Sequence, residues 1–447
     1  MRIIVVGAGE VGSYVAHRLS REGHDVVVID RSRRRLREID DELDVMTVLG
    51  SGSSPVVLSE AGLAKTDLVA ALTDDDEVNL IACMQAKQAG VAQTVARLQN
   101  ADLRGRAGLD VRRAVGVDMV IDPDEEIADE ILELISFLGA TDVREMAGGE
   151  ILLIGCRLGP QAPALGRKMS DIGKDYDPNW EFIFGTVTRS GETIIVRGDY
   201  TLLEGDLLRV VCKRRGQGDL MELLGLKRQR IRRVMLLGGG RTAEKVAKVL
   251  CRRGVEVAVV ERNYERCQEL SEKLANALVL HGDITEVDLL VEEEVGTYDS
   301  VVALTGEDDA NILACLFAKA EGARETVAVV HRLGLLSLLD QIGIDAALSP
   351  RTVSANNVLR FVRGDVAQVA TFLEGDVEVI ELEVQPGTVA VGKSIADLGL
   401  NHEILVAAIL RDGKAEIARG RSVIRVRDHV VVFASPELVP EVHRVFG

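Results

Sequence analysis

The sequence predicts an α/β protein: two doubly wound parallel-sheet Rossmann domains, each followed by a small α/β, β-rich domain. Three observations carry that prediction. The chain is written twice, each copy opens on a strand followed by a glycine loop, and short apolar runs alternate with amphipathic helical stretches. The opening MRIIVVGAGEVGSYVAHRLSREGHDVVVIDR has its counterpart in RRVMLLGGGRTAEKVAKVLCRRGVEVAVVER. Downstream, Gly50 aligns with Gly282, Thr73 with Thr305, Asn79 with Asn311, Cys83 with Cys315, Asp118 with Asp345 and Pro123 with Pro350. A match of this length is a tandem duplication.

Within the first copy, residues 3–6, 26–29, 45–49, 68–72, 94–98 and 119–121 read as strands, with amphipathic stretches such as 11–21 between them, the latter stopped by Gly23. Strand–helix alternation with short loops implies a parallel sheet covered on both faces. After each Rossmann copy the periodicity changes. Residues 150–158, 193–198 and 207–213 are short and β-rich, and the tail repeats this at 377–384, 406–410 and 430–433. Ala164-Leu165-Gly166-Arg167 matches Ala390-Val391-Gly392-Lys393. The expected organisation is a Rossmann domain at 1–136, a small domain at 137–217, a linker at 218–230, a second Rossmann domain at 231–364 and a second small domain at 365–447. Residues 216–230 are expected to form a short polar helix or linker.

A chain of 447 residues is too long for one core, and 47% apolar residues with only 3% aromatics suit buried parallel sheets rich in Val, Leu, Ile and Ala. No apolar run approaches the length of a membrane span, and no signal peptide precedes the first strand, so a soluble, cytoplasmic protein is expected. The net charge of −18 argues against nucleic acid or anionic lipid as a partner. The basic run at 31–37 is read as a solvated helix face. The six cysteines form neither a CxxC nor a His/Cys cluster, so no metal site is expected.

Gly7-Ala8-Gly9-Glu10-Val11-Gly12 is a complete GxGxxG between a strand and a helix. The first glycine permits the turn, the second lets backbone approach a pyrophosphate, and the third allows close helix–strand packing. Asp30 ends the next strand, where a carboxylate accepts hydrogen bonds from ribose hydroxyls. In the second copy, Gly238-Gly239-Gly240-Arg241-Thr242-Ala243 carries Ala243 for the last glycine and Glu261 in the ribose position. Arg241 is a candidate for a phosphate, and loss of the ligand with retention of the fold is the competing expectation for this copy. In both copies the acid disfavours a 2′-phosphate, so NAD or an adenine nucleotide is expected rather than NADP. Further crevice candidates are Thr73 and Thr305 at strand ends, Gly50-Ser51 and Gly282-Asp283 at another, and Arg97, which has Val329 as its counterpart. For Arg97 a surface salt bridge is the alternative, and for the glycine pairs a plain turn.

A dehydrogenase would need a proton donor or acceptor at the nicotinamide. The seven histidines are scattered, and no Ser/His, Cys/His or paired-carboxylate arrangement repeats, so no catalytic residue is assigned. Tyr176, Asp177 and Trp180 cluster in one small domain only, which suits a packed aromatic beside a turn acid. The acidic strings 74–77 and 307–309 precede helices and suit helix N-termini.

GAGEVG with Asp30, GSGSSPVVLSEAG, ALTDDDEVNLIAC, then LGGGR, HGDITEVDLL and ALTGEDDANILAC together resemble the tandem-repeat potassium uptake regulators of the TrkA family, with paired Trk-N and Trk-C (RCK-type) modules. The resemblance covers essentially the whole chain. It implies a regulatory subunit at the inner face of the cell membrane, held there by a Trk-type potassium channel or transporter. NAD(H) or competing ATP/ADP in the crevices would reshape a homo-oligomeric, tetrameric ring and gate that partner. The family's pyrophosphate and ribose positions fall on Gly7, Gly9, Gly12 and Asp30, and on Gly238, Gly240, Ala243 and Glu261. Glu10 departs from the pattern by placing negative charge beside the expected phosphates. The helical stripe Ile127, Ile131, Leu134, Ile135 and Leu138 would, by the same resemblance, contact a neighbouring module, with packing against its own domain as the alternative. The alternatives are an NAD-dependent oxidoreductase with a degenerate second half, or a regulator of another transporter.

Overall fold

A computed structural model describes residues 1–100, 103, 114–226, 231–339, 342–362, 367–371 and 377–447. The apolar runs of the first copy become β1 (Arg2–Val6), β2 (Asp25–Asp30), β3 (Met46–Leu49), β4 (Leu68–Ala71), β5 (Gln93–Arg97) and β6 (Met119–Ile121). They form one sheet in the order β3-β2-β1-β4-β5-β6, parallel throughout. Ile3–Val6 and Val26–Ile29 are all at most 2% exposed, so alternation is lost and the strands read as unbroken apolar runs. Helices α1 (Glu10–Arg21), α2 (Arg33–Glu42), α3 (Pro55–Glu60), α4 (Asp76–Gln88) and α5 (Pro123–Leu134) connect or follow these strands.

Next come β7 (Ala140–Met146), β8 (Ile151–Arg157), α6 (Met169–Asp175), β9 (Phe182–Arg189), β10 (Glu192–Ile195), β11 (Leu207–Lys213) and α7 (Gln217–Leu223). Their sheet runs β10-β9-β11-β8-β7 and is antiparallel. Helix α7 falls in the stretch expected to be polar, yet Leu220, Met221 and Leu223 are buried, and the Ala164 N–H donates to the Leu223 carbonyl at 2.9 Å.

The second copy supplies β12 (Arg233–Leu237), α8 (Arg241–Arg252), β13 (Glu256–Glu261), α9 (Tyr264–Lys273), β14 (Ala277–His281), α10 (Val287–Glu292), β15 (Ser300–Ala303), α11 (Asp308–Glu321), β16 (Glu325–Val329), α12 (Leu336–Leu339), β17 (Ala346–Leu348) and α13 (Pro350–Val362). Its parallel sheet repeats the first strand order as β14-β13-β12-β15-β16-β17. The tail forms β18 (Ala367–Thr371), β19 (Glu378–Glu383), β20 (Ile404–Arg411), β21 (Lys414–Ile417), β22 (His429–Ala434) and α14 (Val439–Phe446), with the antiparallel order β18-β19-β22-β20-β21. The two small sheets share a detail. Asp206, fully buried, takes the Arg189 guanidinium in two bonds of 2.7 and 2.8 Å, and Asp428 takes Arg411 in two of 2.8 Å. A bidentate pair satisfies a buried carboxylate that would otherwise be costly.

Compact units do not follow chain order. One comprises Met1–Ile127 with Ser349–Gly364, the other Ala128–Leu348 with Asp365–Gly447. In the first, the helix that ends the second Rossmann copy completes the core of the first copy. Ala355, Val358, Leu359 and Val362 of α13 join Val11, Val15 and Leu19 of α1 in one apolar cluster. In the second, the two small sheets share a cluster of Ile151, Leu153, Val211, Val379, Val431 and Phe433. Gly185 is required there, because a Cβ would lie 2.1 Å from the Phe433 ring.

Candidate functional site

In both Rossmann sheets the chain turns back between the first and fourth strands, opening a crevice at the carboxyl ends of those strands. The first glycine loop sits there. Gly7 leaves β1 with φ +106°, and a Cβ would press on the Thr73 N–H and the Leu72 carbonyl carbon at 3.1 Å, so glycine is needed for both shape and space. At Gly12 a Cβ would lie 1.9 Å from the Gly7 carbonyl oxygen, which is the close packing of helix on strand that the motif implies. Gly9 precedes α1 in extended backbone, and among the described residues no side chain caps that helix. The first-turn N–H groups and the positive end of the helix dipole are thereby left to an anion.

Asp30 ends β2. One carboxylate oxygen accepts the Ala8 N–H at 2.7 Å and the other accepts the Ser32 N–H at 2.6 Å, pinning the glycine loop to the strand end. Each oxygen keeps a further lone-pair direction for a ribose hydroxyl. A cleft of about 460 Å³ opens here, lined by Asp30, Gly50 and Thr73 among the expected residues, and by Arg31, Arg34 and Arg35. Ser51 lies beside it, its hydroxyl accepting from Arg31 at 2.8 Å. Gly50 donates its N–H to the Asp30 carbonyl at 2.9 Å. A Cβ there would strike Val57 at 2.4 Å, and one at Gly52 would strike Val6 at 2.0 Å.

Three features were missed from sequence. The arginines of the basic run line the cleft instead of only facing solvent; their placement directly after the ribose acid was the available signal. Asn79, fully buried, accepts the Thr73 N–H at 3.0 Å and hydroxyl at 2.7 Å, and donates to the Thr73 and Arg97 carbonyls, each at 2.9 Å. Asn311 repeats this with Thr305 and Val329. These asparagines tie the ends of the fourth and fifth strands, and their alignment in the repeat was the signal. Third, Arg351 of α13 pairs with Glu10, so the negative charge beside the loop is compensated.

Arg97 pairs with Asp74 at 2.5 Å and is not among the residues lining the cleft. The acidic strings serve local structure. Asp75 caps α4 through the Val78 N–H at 3.0 Å, and Asp76 accepts the Gln99 and Asn100 N–H groups. Asp308 accepts the His331 and Arg332 N–H groups at 2.8 and 3.0 Å, and the Arg332 and His331 side chains. Burial raises the Asp308 pKa, but these donors outweigh it and hold the carboxyl down at about 2.

The second loop has the same frame and different occupants. Gly238 has φ +114°, and Ala243 stands fully buried in α8. Glu261 accepts the Gly239 and Asn263 N–H groups, each at 2.7 Å, reproducing the Asp30 clamp. Arg266, the counterpart of Arg35, donates to the Gly239 carbonyl at 2.8 Å and is tied to Glu244 at 2.8 Å and Glu269 at 2.7 Å. Burial disfavours the Glu244 anion, but the Lys248 and Arg266 donors prevail and lower its pKa to about 2. Arg241 opens α8 on the exposed side. Gly282 donates to the Glu261 carbonyl at 3.0 Å, and Asp283 is held by Thr285, whose N–H and hydroxyl lower its pKa. His281, nearest to this site, contacts the Arg262 carbonyl at 3.2 Å and the Tyr264 ring.

Trp180 and Asp177 of the first small domain both meet Arg419 of the second, which stacks on the Trp180 ring at 4.6 Å from its centroid and pairs with Asp177 at 2.6 Å. That is a packed aromatic with a turn acid. Among the described residues no group of three or more His, Cys, Asp or Glu side chains is placed to hold a metal ion, and no helix is long and apolar enough to cross a membrane.

Against known proteins, the TrkA-N domain family matches residues 3–123 and 234–350, and the TrkA-C domain family matches 379–447. The Trk system potassium uptake protein TrkA of Halomonas elongata is 34% identical over 454 residues, spanning 100% of this chain and 98% of that protein. A Trk system potassium uptake protein TrkA homolog of Archaeoglobus fulgidus is 32% identical over 447 residues, spanning 100% of both. Among solved structures, the GsuK RCK domain superposes with a TM-score of 0.62 at 17% identity, over 99% of this chain and 94% of that one. The GsuK channel bound to NAD gives 0.62 at 17% identity, over 99% and 78%. At that identity the likeness establishes a shared fold.

Proposed function

Because the chain belongs to the TrkA family of potassium uptake proteins, we propose that it is the regulatory subunit of a Trk-type potassium uptake system, gating a membrane ion-conducting partner according to the nucleotide in its crevices. The observation that carries this is the first crevice. It has an intact glycine loop, an uncapped helix start, a clamped ribose acid and three arginines on a cleft of about 460 Å³. NAD(H) is the ligand this geometry suits, with ATP and ADP competing through the same ribose and phosphate contacts. Gly7, Gly9 and Gly12 would meet the pyrophosphate and Asp30 the ribose, with Gly238, Gly240 and Glu261 as their counterparts. An oxidoreductase is not favoured, since the full-length relatives are potassium uptake proteins.

Such a regulator requires no chemistry on the nucleotide. The ligand biases the partner only by the difference in its affinity for two conformations. We place the protein in the cytoplasm, peripheral to the membrane through its partner, as a homo-oligomer for which a tetrameric ring is the proposed assembly. The test is potassium flux through the reconstituted membrane partner, with this chain added and NADH or ATP titrated. Flux should change with nucleotide, and Asp30→Ala should weaken the response to both ligands alike, because both present a ribose diol. Flux that ignores every nucleotide while the chain stays bound to the partner would leave a scaffold, not a sensor.

A further inference from the structure

Helix α13 reaches the first Rossmann copy from the second half of the sequence. Its apolar face explains why it packs, through Ala355, Val358, Leu359 and Val362 against α1. Apolar contact does not explain why this helix is chosen. The repeat offers a competitor, since α5 stands in the first half where α13 stands in the second, Pro123 aligning with Pro350. Both helices are amphipathic, and hydrophobic burial has no direction or sign.

Polar contacts at the start of α13 do discriminate. Arg351, in its first turn, pairs with Glu10, in the first turn of α1. Ser354 donates its hydroxyl to Glu126 at 2.8 Å. The repeat aligns Glu10 with Arg241 and Arg351 with Asp124, so both members of the pair change sign between the copies. A first half docking the matching helix of another first half would bring Asp124 toward Glu10. A second half doing the same would bring Arg351 toward Arg241. Only the mixed combination sets opposite charges together. Ser354 and Glu126 follow suit, since their aligned positions hold Ile127 and Val353.

We propose that Glu10 and Arg351 form a charge-coded recognition pair by which α1 accepts the helix of the second half and rejects its counterpart from a first half. The surface is the α1 face beside the first glycine loop, and its partner is α13. Like-with-like exchange is disfavoured by repulsion, a means of specificity also used at paired-helix interfaces. The inference stands whether or not nucleotide binds nearby.

The test uses the full chain in four forms besides wild type: Glu10→Arg, Arg351→Glu, Glu10→Gln and the double reversal Glu10→Arg/Arg351→Glu. Hydrogen exchange across α13 reports its docking, and native mass spectrometry reports association between chains. Each single variant should speed exchange in α13 by roughly two- to fivefold, the range for a partly exposed pair, and the double reversal should restore it. Glu10→Arg should also populate species heavier than the wild-type assembly, because the introduced guanidinium would attract Asp124 of another chain. Glu10→Gln, which loses the pair without creating a new attraction, should not. The proposal is overturned if the double reversal exchanges as fast as the single reversals. It is equally overturned if Glu10→Arg and Glu10→Gln give the same mass distribution.

Discussion

The two crevices are built on one frame and differ in what occupies it. Both clamp the glycine loop with an acid at the end of the second strand, Asp30 or Glu261, and both lock the fourth strand end with a buried asparagine. In the first, Arg35 has no carboxylate partner among the described residues, and Ser13 stands where the second copy has Glu244. In the second, Glu244 and Glu269 hold the corresponding Arg266, and its charge is neutralised within the protein. Duplication has thus kept the backbone cradle in both halves, while the arginine beside the second loop is committed to carboxylates and its counterpart Arg35 is not, among the described residues. An anion gains most from a cation that is not already paired, so the first crevice should bind nucleotide more tightly.

The comparison can be stressed where the copies differ. The largest effect is expected at Glu325 in β16, whose counterpart in the first sheet is Gln93. Burial pushes the Glu325 carboxyl up to about 8, with the Gly139 N–H at 3.2 Å opposing that shift. A folded-state pKa above the unfolded one means the native state holds the extra proton. Stability should therefore fall as pH rises from about 4 to about 8. Glu325→Gln should flatten that dependence and gain roughly 2–4 kcal/mol at pH 8. Denaturant titrations of the full chain at pH 5 and pH 8 check this, and parallel losses in both proteins would contradict it.

Next is the third loop position. Gly12→Ala should cost about 1–3 kcal/mol, since the added methyl arrives 1.9 Å from a carbonyl oxygen. Ala243→Gly, the reverse exchange in the second copy, should cost at most about 1 kcal/mol through helix propensity. Thermal unfolding compares them directly. A smaller change is expected from Glu244→Gln, which frees Arg266. Affinity of the second crevice for ADP should rise about two- to fivefold, as for release of a partly exposed ion pair, and calorimetry reads it.

Much of this arrangement was legible in the sequence. Gly7, Gly12 and Asp30 have backbone-level requirements that leave a local signature, and the duplicated strand order follows from apolar runs of fixed spacing. Other features were not legible because they depend on contacts remote in sequence. Strands β7, β9, β18 and β21 lack a distinctive sequence pattern. The exchange of α13 joins residues more than 300 positions apart, such as Glu10 and Arg351. Arg35 looked like part of a solvated basic run, and only the fold brings it within 3.9 Å of a Cβ built on Gly9.

That last contact points to the most direct measurement. Gly9 has space for a side chain in the free protein, since among the described residues only the Arg35 guanidinium comes within 4 Å of a Cβ there, so Gly9→Asp should fold normally. The new carboxylate would lie where the pyrophosphate is expected and would pair with Arg35. Calorimetric titration of the full chain with NADH should show sub-millimolar binding for wild type and loss of the tighter component for Gly9→Asp, with the thermal midpoint retained. An unchanged isotherm in a folded Gly9→Asp protein, or no binding to wild type, would contradict the assignment of the first crevice as the sensing site.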